Sequence, residues 1–289
     1  MNKNLVRWIL AVLVTLTAAT YQRLTGPTHP LRGSAVIGDE TVHYSLPRSH
    51  GGDGDQDVDL AVADKNISAS LYYRRLATAD VWTTVPMLAA QGTLRAALPH
   101  QPPAGKLEYV LHLERGDSHW QVPASRAVVI RFRGGVPAGI LVPHVVLMFF
   151  AMLFSSVAGI EAFACGTRLR GYTQLAVGSL LIGGLVLGPI VQKYAFGELW
   201  TGVPYGYDLT DNKTLIAAAV WLAALAQVLR RPPLQARYWV IAAAAVLLII
   251  FSIPHSALGS QLDYASGQIK TGAAAPIAPR PTVALVSAS

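Results

Sequence analysis

Two histidines in this chain directly follow prolines, in the pairs Pro143-His144 and Pro254-His255. Neutral imidazole is the commonest protein ligand of transition metals and also holds haem iron. A run between them, residues 193–213, brings together Lys193, Tyr194, Glu198, Trp200, Tyr205, Tyr207, Asp208 and Asp211, and beyond His255 come Ser256, Asp263 and Tyr264. Two imidazoles brought to one depth could ligate haem b or copper. Asp208 or Asp211 would then orient a ring through its second nitrogen, with Asp263 and the other loop residues around them. The same residues also have a structural reading. Aromatic and histidine side chains favour a membrane–water interface, and Thr210 or Asp211 is a natural N-cap for a following helix.

No other pattern carries catalytic mechanics. The sequence has no phosphate-binding glycine loop, nucleophile elbow or zinc-protease signature. Residues 51–57, Gly-Gly-Asp-Gly-Asp-Gln-Asp, lack the closing glutamate of a calcium loop and read as a solvated hairpin loop. His43, His50, His100, His112 and His119 are scattered without ligand spacing and read as surface residues. The single cysteine, Cys165, admits no internal disulfide and is read as a structural thiol at the end of an apolar stretch.

The elements that must position these residues are membrane helices. Only 13% of the 289 residues are charged and mean hydropathy is +0.39, against about 25% charged in ordinary soluble domains. Five stretches approach the roughly 20 apolar residues needed to cross a bilayer: 5–20, 140–164, 175–191, 215–229 and 238–253. Lys3 and Arg7, then Arg168 and Arg170, then Arg230, Arg231 and Arg237 fall on one side if all five span. The positive-inside rule makes that side cytoplasmic. The expected layout is an N-terminal anchor over 1–22, a periplasmic domain over 23–137, a four-helix membrane domain over 138–258 with its outer loop at 192–213, and a periplasmic, unstructured tail over 259–289. The first stretch also fits a cleaved signal peptide. No acidic or basic residue falls at mid-depth of a stretch, which argues against an ion pump, while Glu161 and Gln227 lie near inner ends. The net charge of +7 is explained by topology without nucleic acid. Gly184 and Gly188 form a small-xxx-small face for helix contact.

Residues 31–133 change period. Ile67, Ala69, Leu71 and Tyr73 alternate with polar residues, as do Leu107, Tyr109, Leu111 and Leu113 with Glu108, His112 and Glu114, the mark of half-buried strands. Further strands are expected at 42–46, 58–62, 81–87, 93–98 and 127–133, which suggests an antiparallel sandwich. The run Tyr72-Tyr73-Arg74-Arg75, Trp82, Leu98-Pro99, Pro102-Pro103-Ala104-Gly105 and Tyr109 resembles an immunoglobulin-like or fibronectin type III domain, which implies a corner role for Tyr109. The runs 21–27 (Tyr-Gln-Arg-Leu-Thr-Gly-Pro), 101–109 and 200–214 resemble a group of bacterial inner-membrane proteins with such a periplasmic domain, implying an architecture and no particular activity. The fold class expected is an α-helical membrane bundle of about five transmembrane helices plus an all-β immunoglobulin/fibronectin III-like sandwich. The function expected is that of a non-enzymatic accessory or assembly subunit in the lipid bilayer, whose sandwich binds another membrane or periplasmic protein. The alternative is a redox or metal-binding subunit with His144 and His255 as ligands.

Overall fold

The structure, a computed structural model, describes residues 3–254 and 259–271. It divides into two units, one formed by Met1–Pro27 with Gly135–Ser260 and the other by Thr28–Gly134 with Gln261–Ser289.

The first unit is helical: α1 (Lys3–Thr25), α2 (Ala138–Phe163), α3 (Leu169–Leu180), a π-helical stretch (Leu181–Leu187), α4 (Gly188–Phe196), α5 (Leu209–Arg230) and α6 (Pro233–Ser252). From α3 to α4 the chain is one continuous rod, so among the described residues five helices are long and apolar enough to cross a membrane. Their mutual contacts use small residues, among them Ala151, Ala158, Ala217, Ala224 and Ala243. Small side chains let backbones approach where lipid supplies no hydrophobic drive. A Cβ at Gly159 of α2 would stand 2.8 Å from that of Ala244 on α6, and one at Gly184 would stand 2.9 Å from Thr214 Cγ2 on α5. Gly184 therefore serves packing inside the unit. The large apolar side chains turned outward include Leu13, Leu16, Phe149, Ile182, Ile216 and Ile249, an exterior suited to hydrocarbon.

Helix α1 is a packed member of this unit. Trp8 meets the rings of Phe154 and Tyr172 edge-on at 6.2 and 5.8 Å, and Arg7 Nη1 donates to Glu161 Oε2 at 2.5 Å. Glu161 is buried, and its other oxygen accepts from the Arg168 N–H at 2.9 Å. Cys165, read as a structural thiol, is exposed with a φ of +51°, and Arg237 Nη1 donates to its Sγ. These contacts gather the three basic clusters at one end of the helices.

The second unit is all-β. Its strands are β1 (Leu31–Ile37), β2 (Glu40–Leu46), β3 (Ser49–Gly51), β4 (Gln56–Ala61), β5 (Ser68–Arg75), β6 (Thr83–Pro86), β7 (Leu88–Ala90), β8 (Thr93–Leu98), β9 (Lys106–Arg115), β10 (Ser118–Val122) and β11 (Val128–Arg133), followed by a late hairpin of β12 (Gln261–Leu262) and β13 (Ile269–Lys270). One sheet runs β3-β11-β9-β5-β6 with β10 also on β9; a second runs β4-β8-β7, and β1 and β2 pair as a hairpin. All three contribute to one core that includes Ile37, Leu46, Leu60, Leu98, Leu111 and Phe132. The alternation at 107–113 does point Leu107, Tyr109, Leu111 and Leu113 into this core. The opposite face is not simply wet. Glu108 is buried beneath an ion pair with Arg74 (2.6 Å), and Val110 is buried with Ala127 against Tyr72 and Trp82.

Three expectations are corrected here. Tyr109 does not make a local corner: its hydroxyl donates to the Pro47 carbonyl at 2.8 Å, far upstream in the sequence. His50 and His112 are not free surface residues, since His50 rests 5.4 Å from the Phe132 ring and His112 lies 4.4 Å from that of Tyr72. The tail is structured over 259–271. Leu262 N–H bonds the Ala104 carbonyl at 3.0 Å, and Tyr264 Oη accepts from Lys106 N–H and donates to Gln101 Oε1, both at 3.0 Å. The rest of the expected tail, 272–289, lies outside the described residues.

Candidate functional site

The end of the helical unit opposite the basic clusters holds the outer loop. Gly197, with a φ of +90°, closes α4 through its N–H to the Lys193 carbonyl. Eleven residues later the chain enters α5 with Asp208 as the N-cap. Thr210 and Asp211 are therefore not the caps that the sequence suggests; they are first-turn residues whose N–H groups Asp208 Oδ1 accepts, at 2.8 and 3.4 Å. A carboxylate here also meets the positive end of the helix dipole. The second oxygen of Asp208 accepts from the N–H and hydroxyl of Ser260, at 3.2 and 3.1 Å.

Asp211 turns the other way and ties the loop down. Its Oδ2 accepts from Thr201 N–H at 2.6 Å, Thr201 Oγ1 at 3.1 Å and Gln192 Nε2 at 3.1 Å. Asn212 Oδ1 accepts from Val203 N–H at 2.7 Å, and Trp200 Nε1 donates to the Val203 carbonyl at 3.1 Å. Gly202 is required by close approach, because a Cβ there would stand 2.7 Å from both Asn212 Oδ1 and Asp211 Cβ. Lys213, also buried, donates from Nζ to the Ile253 carbonyl at 2.7 Å and so caps the C-terminal end of α6.

The loop residues thus separate into two groups. Asp208 and Asp211 are buried and spent on backbone donors, whereas Lys193, Tyr194, Glu198, Tyr205 and Tyr207 are exposed. Asp263 is not part of this cluster. It belongs to the β unit, where its carboxylate accepts from Ala265 N–H at 3.0 Å and pairs with Lys270 at 2.6 Å. Those hydrogen bonds, led by Lys270, hold it down to about 2.

His144 lies more than a turn inside α2, because that helix starts at Ala138 and takes Pro143 within it. Its Nδ1 is 2.9 Å from the carbonyl of Gly183 in the π-helical stretch. A carbonyl can only accept, so Nδ1 carries a proton, and in the neutral ring Nε2 keeps the lone pair. The same carbonyl also accepts the i+5 backbone bond from the Gly188 N–H that the π-helical turn makes. His255 lies outside the described residues. Among the described residues no group of three or more His, Cys, Asp or Glu side chains could hold a metal ion.

Gln192, Thr201, Gly202, Asn212, Lys213 and Ser260 complete the cluster and were not singled out from sequence. One signal was present: an acidic residue followed three positions later by another, ahead of an apolar run, marks a helix start. The remaining contacts are long-range and leave no local pattern.

Helices of membrane length joined to an all-β unit with its own core define the class, a protein built for a multi-pass membrane position with an all-β domain attached. No family model and no curated protein matches the chain. A solved structure titled "Crystal structure of Br derivative BhCBM56" aligns with 34% of this chain and 97% of that one at 11% identity, with a TM-score of 0.25, too small a likeness to define a shared fold.

Proposed function

We propose that this chain is a bacterial inner-membrane accessory or assembly subunit, N-terminus cytoplasmic, whose periplasmic, fibronectin type III/immunoglobulin-like β unit receives an extended segment of a partner protein. The observation that carries this reading is the edge formed by residues 81–90. This run, Val-Trp-Thr-Thr-Val-Pro-Met-Leu-Ala-Ala, has no charge. Within it, Thr83–Pro86 is β6 and Leu88–Ala90 is β7, which end their two sheets and each pair on one side only, with Val81 just ahead of β6. Val81 is 85% exposed and Leu88 73% exposed. Natural sheets blunt such edges with charges, proline or short strands; this one is short and holds Pro86 but carries no charge, and an uncharged apolar edge is a template for strand addition. The polar loop cluster supports the reading from the membrane side, since it spends its carboxylates on holding the outer end of the helices.

The test places a photo-crosslinking residue at Val81 or Leu88 in the full chain, in native membranes, with Asp117 as the control position. A discrete adduct at 81 and 88 that is missing at 117, and lost in the Val81→Lys/Leu88→Lys variant, is expected. Equal labelling at all three positions refutes the edge as a docking site.

A second reading has one observation in its favour. The Gly183 carbonyl orients His144 as the second-shell partners of metal-bound imidazoles do, so Nε2 could ligate haem or copper, with His255 as the other ligand. A Soret band in purified protein that disappears in His144→Ala would establish this reading over the first.

A further inference from the structure

The outer loop is built inside out. Its polar groups turn inward, where Thr201 N–H, Thr201 Oγ1 and Gln192 Nε2 donate to Asp211 and Val203 N–H donates to Asn212. Its apolar side chains turn outward: Tyr205 is 84% exposed, Leu199 53% and Val203 48%. No charged residue occurs from 199 to 207. Buried polar groups beneath a contiguous apolar surface mark a face that meets something other than water.

The same hydrogen bonds fix the depth of this face. Gln192 lies a turn before the end of α4, and Asp211 is in the first turn of α5. Bonds to both draw the loop back to the level of the helix ends. Gln22 near the end of α1 and Lys213 of α5 donate to one carbonyl, that of Ile253 just past α6, at 3.2 and 2.7 Å. The ends of α1, α5 and α6 therefore share that level. Exposed around it are Tyr21 and Leu24 on α1 and Tyr194 on α4, beside Leu199, Val203 and Tyr205 of the loop. On α1, Leu24 stands on the same helical face as the exposed Leu13 and Leu16. The loop thus extends the apolar exterior of the helices to their very ends.

We infer that residues 199–205 lie in the interfacial layer of the bilayer, with the phospholipid surface as the partner of Leu199, Val203 and Tyr205. This rests on the helical unit spanning a bilayer, and adds a lipid contact to its outer loop. Apolar side chains at this level enter the boundary between headgroups and acyl chains, to a depth of about 5–10 Å. A tyrosine there buries its ring and keeps its hydroxyl among the headgroups. With no charge from 199 to 207, the face selects the lipid surface and not one headgroup. Lys193 and Glu198, exposed at its margin, reach the polar layer. The polar cluster around Asp211 is then closed off beneath lipid, and the connection between α4 and α5 sets how deep the bundle sits.

The experiment uses the full chain carrying Cys165→Ser, reconstituted in phosphatidylcholine vesicles. Leu199→Cys, Val203→Cys and Tyr205→Cys are made one at a time and labelled with a small fluorophore. Quenching is compared for nitroxide lipids with a shallow or a deep nitroxide and for iodide in the water. Ile182→Cys, exposed at the middle of the α3–α4 rod, reports whether the helices are in the bilayer, and Asp117→Cys in the β9–β10 turn gives the response of a position in water. The loop labels are expected to lose more fluorescence to the shallow nitroxide than to the deep one, and less to iodide than the label at 117. Loop labels quenched by iodide as fully as at 117, with no loss to either lipid, overturn the inference. Loop labels shielded from iodide and from both lipids overturn it too, because protein would then cover the face. In both of those cases a label at 182 quenched by the deep nitroxide leaves the membrane reading standing, whereas no quenching there removes that reading and the inference with it.

Discussion

Asp208 shows how a single residue can hold three segments at once. It caps α5, accepts two hydrogen bonds from Ser260, and through its own N–H to the Thr201 carbonyl closes the loop. Replacement of a helix cap by alanine costs about 1 kcal/mol, and the buried Ser260 donors would lose their acceptor as well. Asp208→Ala should therefore lower the stability of the helical unit by roughly 2–3 kcal/mol, read as a drop in unfolding temperature in detergent. Asp211→Asn is expected to do less to the helix and more to the loop. One amide oxygen can accept from Thr201 and Gln192, but more weakly than a carboxylate. Protease cleavage between Gly197 and Tyr207 should speed up in that variant; unchanged cleavage would show that the loop is held some other way.

At the scale of elements, the tie between α1 and α2 is the most exposed to test. Arg7 and Glu161 form a pair with side chains 21% and 5% exposed. Removing one partner of such a pair strands a charge at a cost of about 3–5 kcal/mol. Glu161→Gln should therefore destabilise the bundle strongly, while Arg7→Met combined with Glu161→Leu should recover much of the loss. Equal destabilisation in the single and double variants would show the pair to be incidental. The packing of Trp8 on Phe154 and Tyr172 gives α1 a place among the other helices. N-terminal sequencing of the membrane-embedded protein is accordingly expected to begin upstream of Trp8, whereas a start near Ala19 would identify the first stretch as a cleaved signal.

For the whole molecule, two measurements matter. With the basic clusters at one end of the helices, a periplasm-dependent reporter fused at the C-terminus should be active, and a cytoplasm-dependent one silent; the reverse would invert the orientation proposed here. The second concerns pH. Lys106 ionises at about 8 in the folded state against an ordinary 10.5. Between those values the unfolded chain binds more protons than the folded one, so stability rises with pH across that window. The gain amounts to about 3 kcal/mol when complete. Tyr264 acts in the opposite sense: burial pushes it up to about 12 from 10.0, so folded tyrosine keeps its proton longer and stability falls as pH climbs above 10. The β unit should melt higher at pH 9.5 than at pH 7, and Lys106→Met should flatten that rise.

How much of this was legible beforehand depends on the range of the interaction involved. Membrane helices declare themselves by composition, because every apolar residue along them must meet lipid or another helix. The strands at 42–46, 58–62, 67–75, 93–98, 107–113 and 127–133 declare themselves by alternation, and correspond to β2, β4, β5, β8, β9 and β11. The β1 strand lacks a clean alternation, although Gly38-Asp39 between it and β2 is a hairpin turn signal, with Gly38 at a φ of +60°. What no local pattern could show is the use to which each polar side chain is put. Whether Asp211 faces a metal or the Thr201 N–H, whether Glu108 faces water or Arg74, and whether Gln261 hangs free or lies on Lys106 are matters of residues brought together from far along the chain. Periodicity is set by neighbours in sequence, so sequence alone determined the helices, most of the strands and the grouping of basic residues. Hydrogen bonding and charge compensation are set by neighbours in space, and only the tertiary structure decided those.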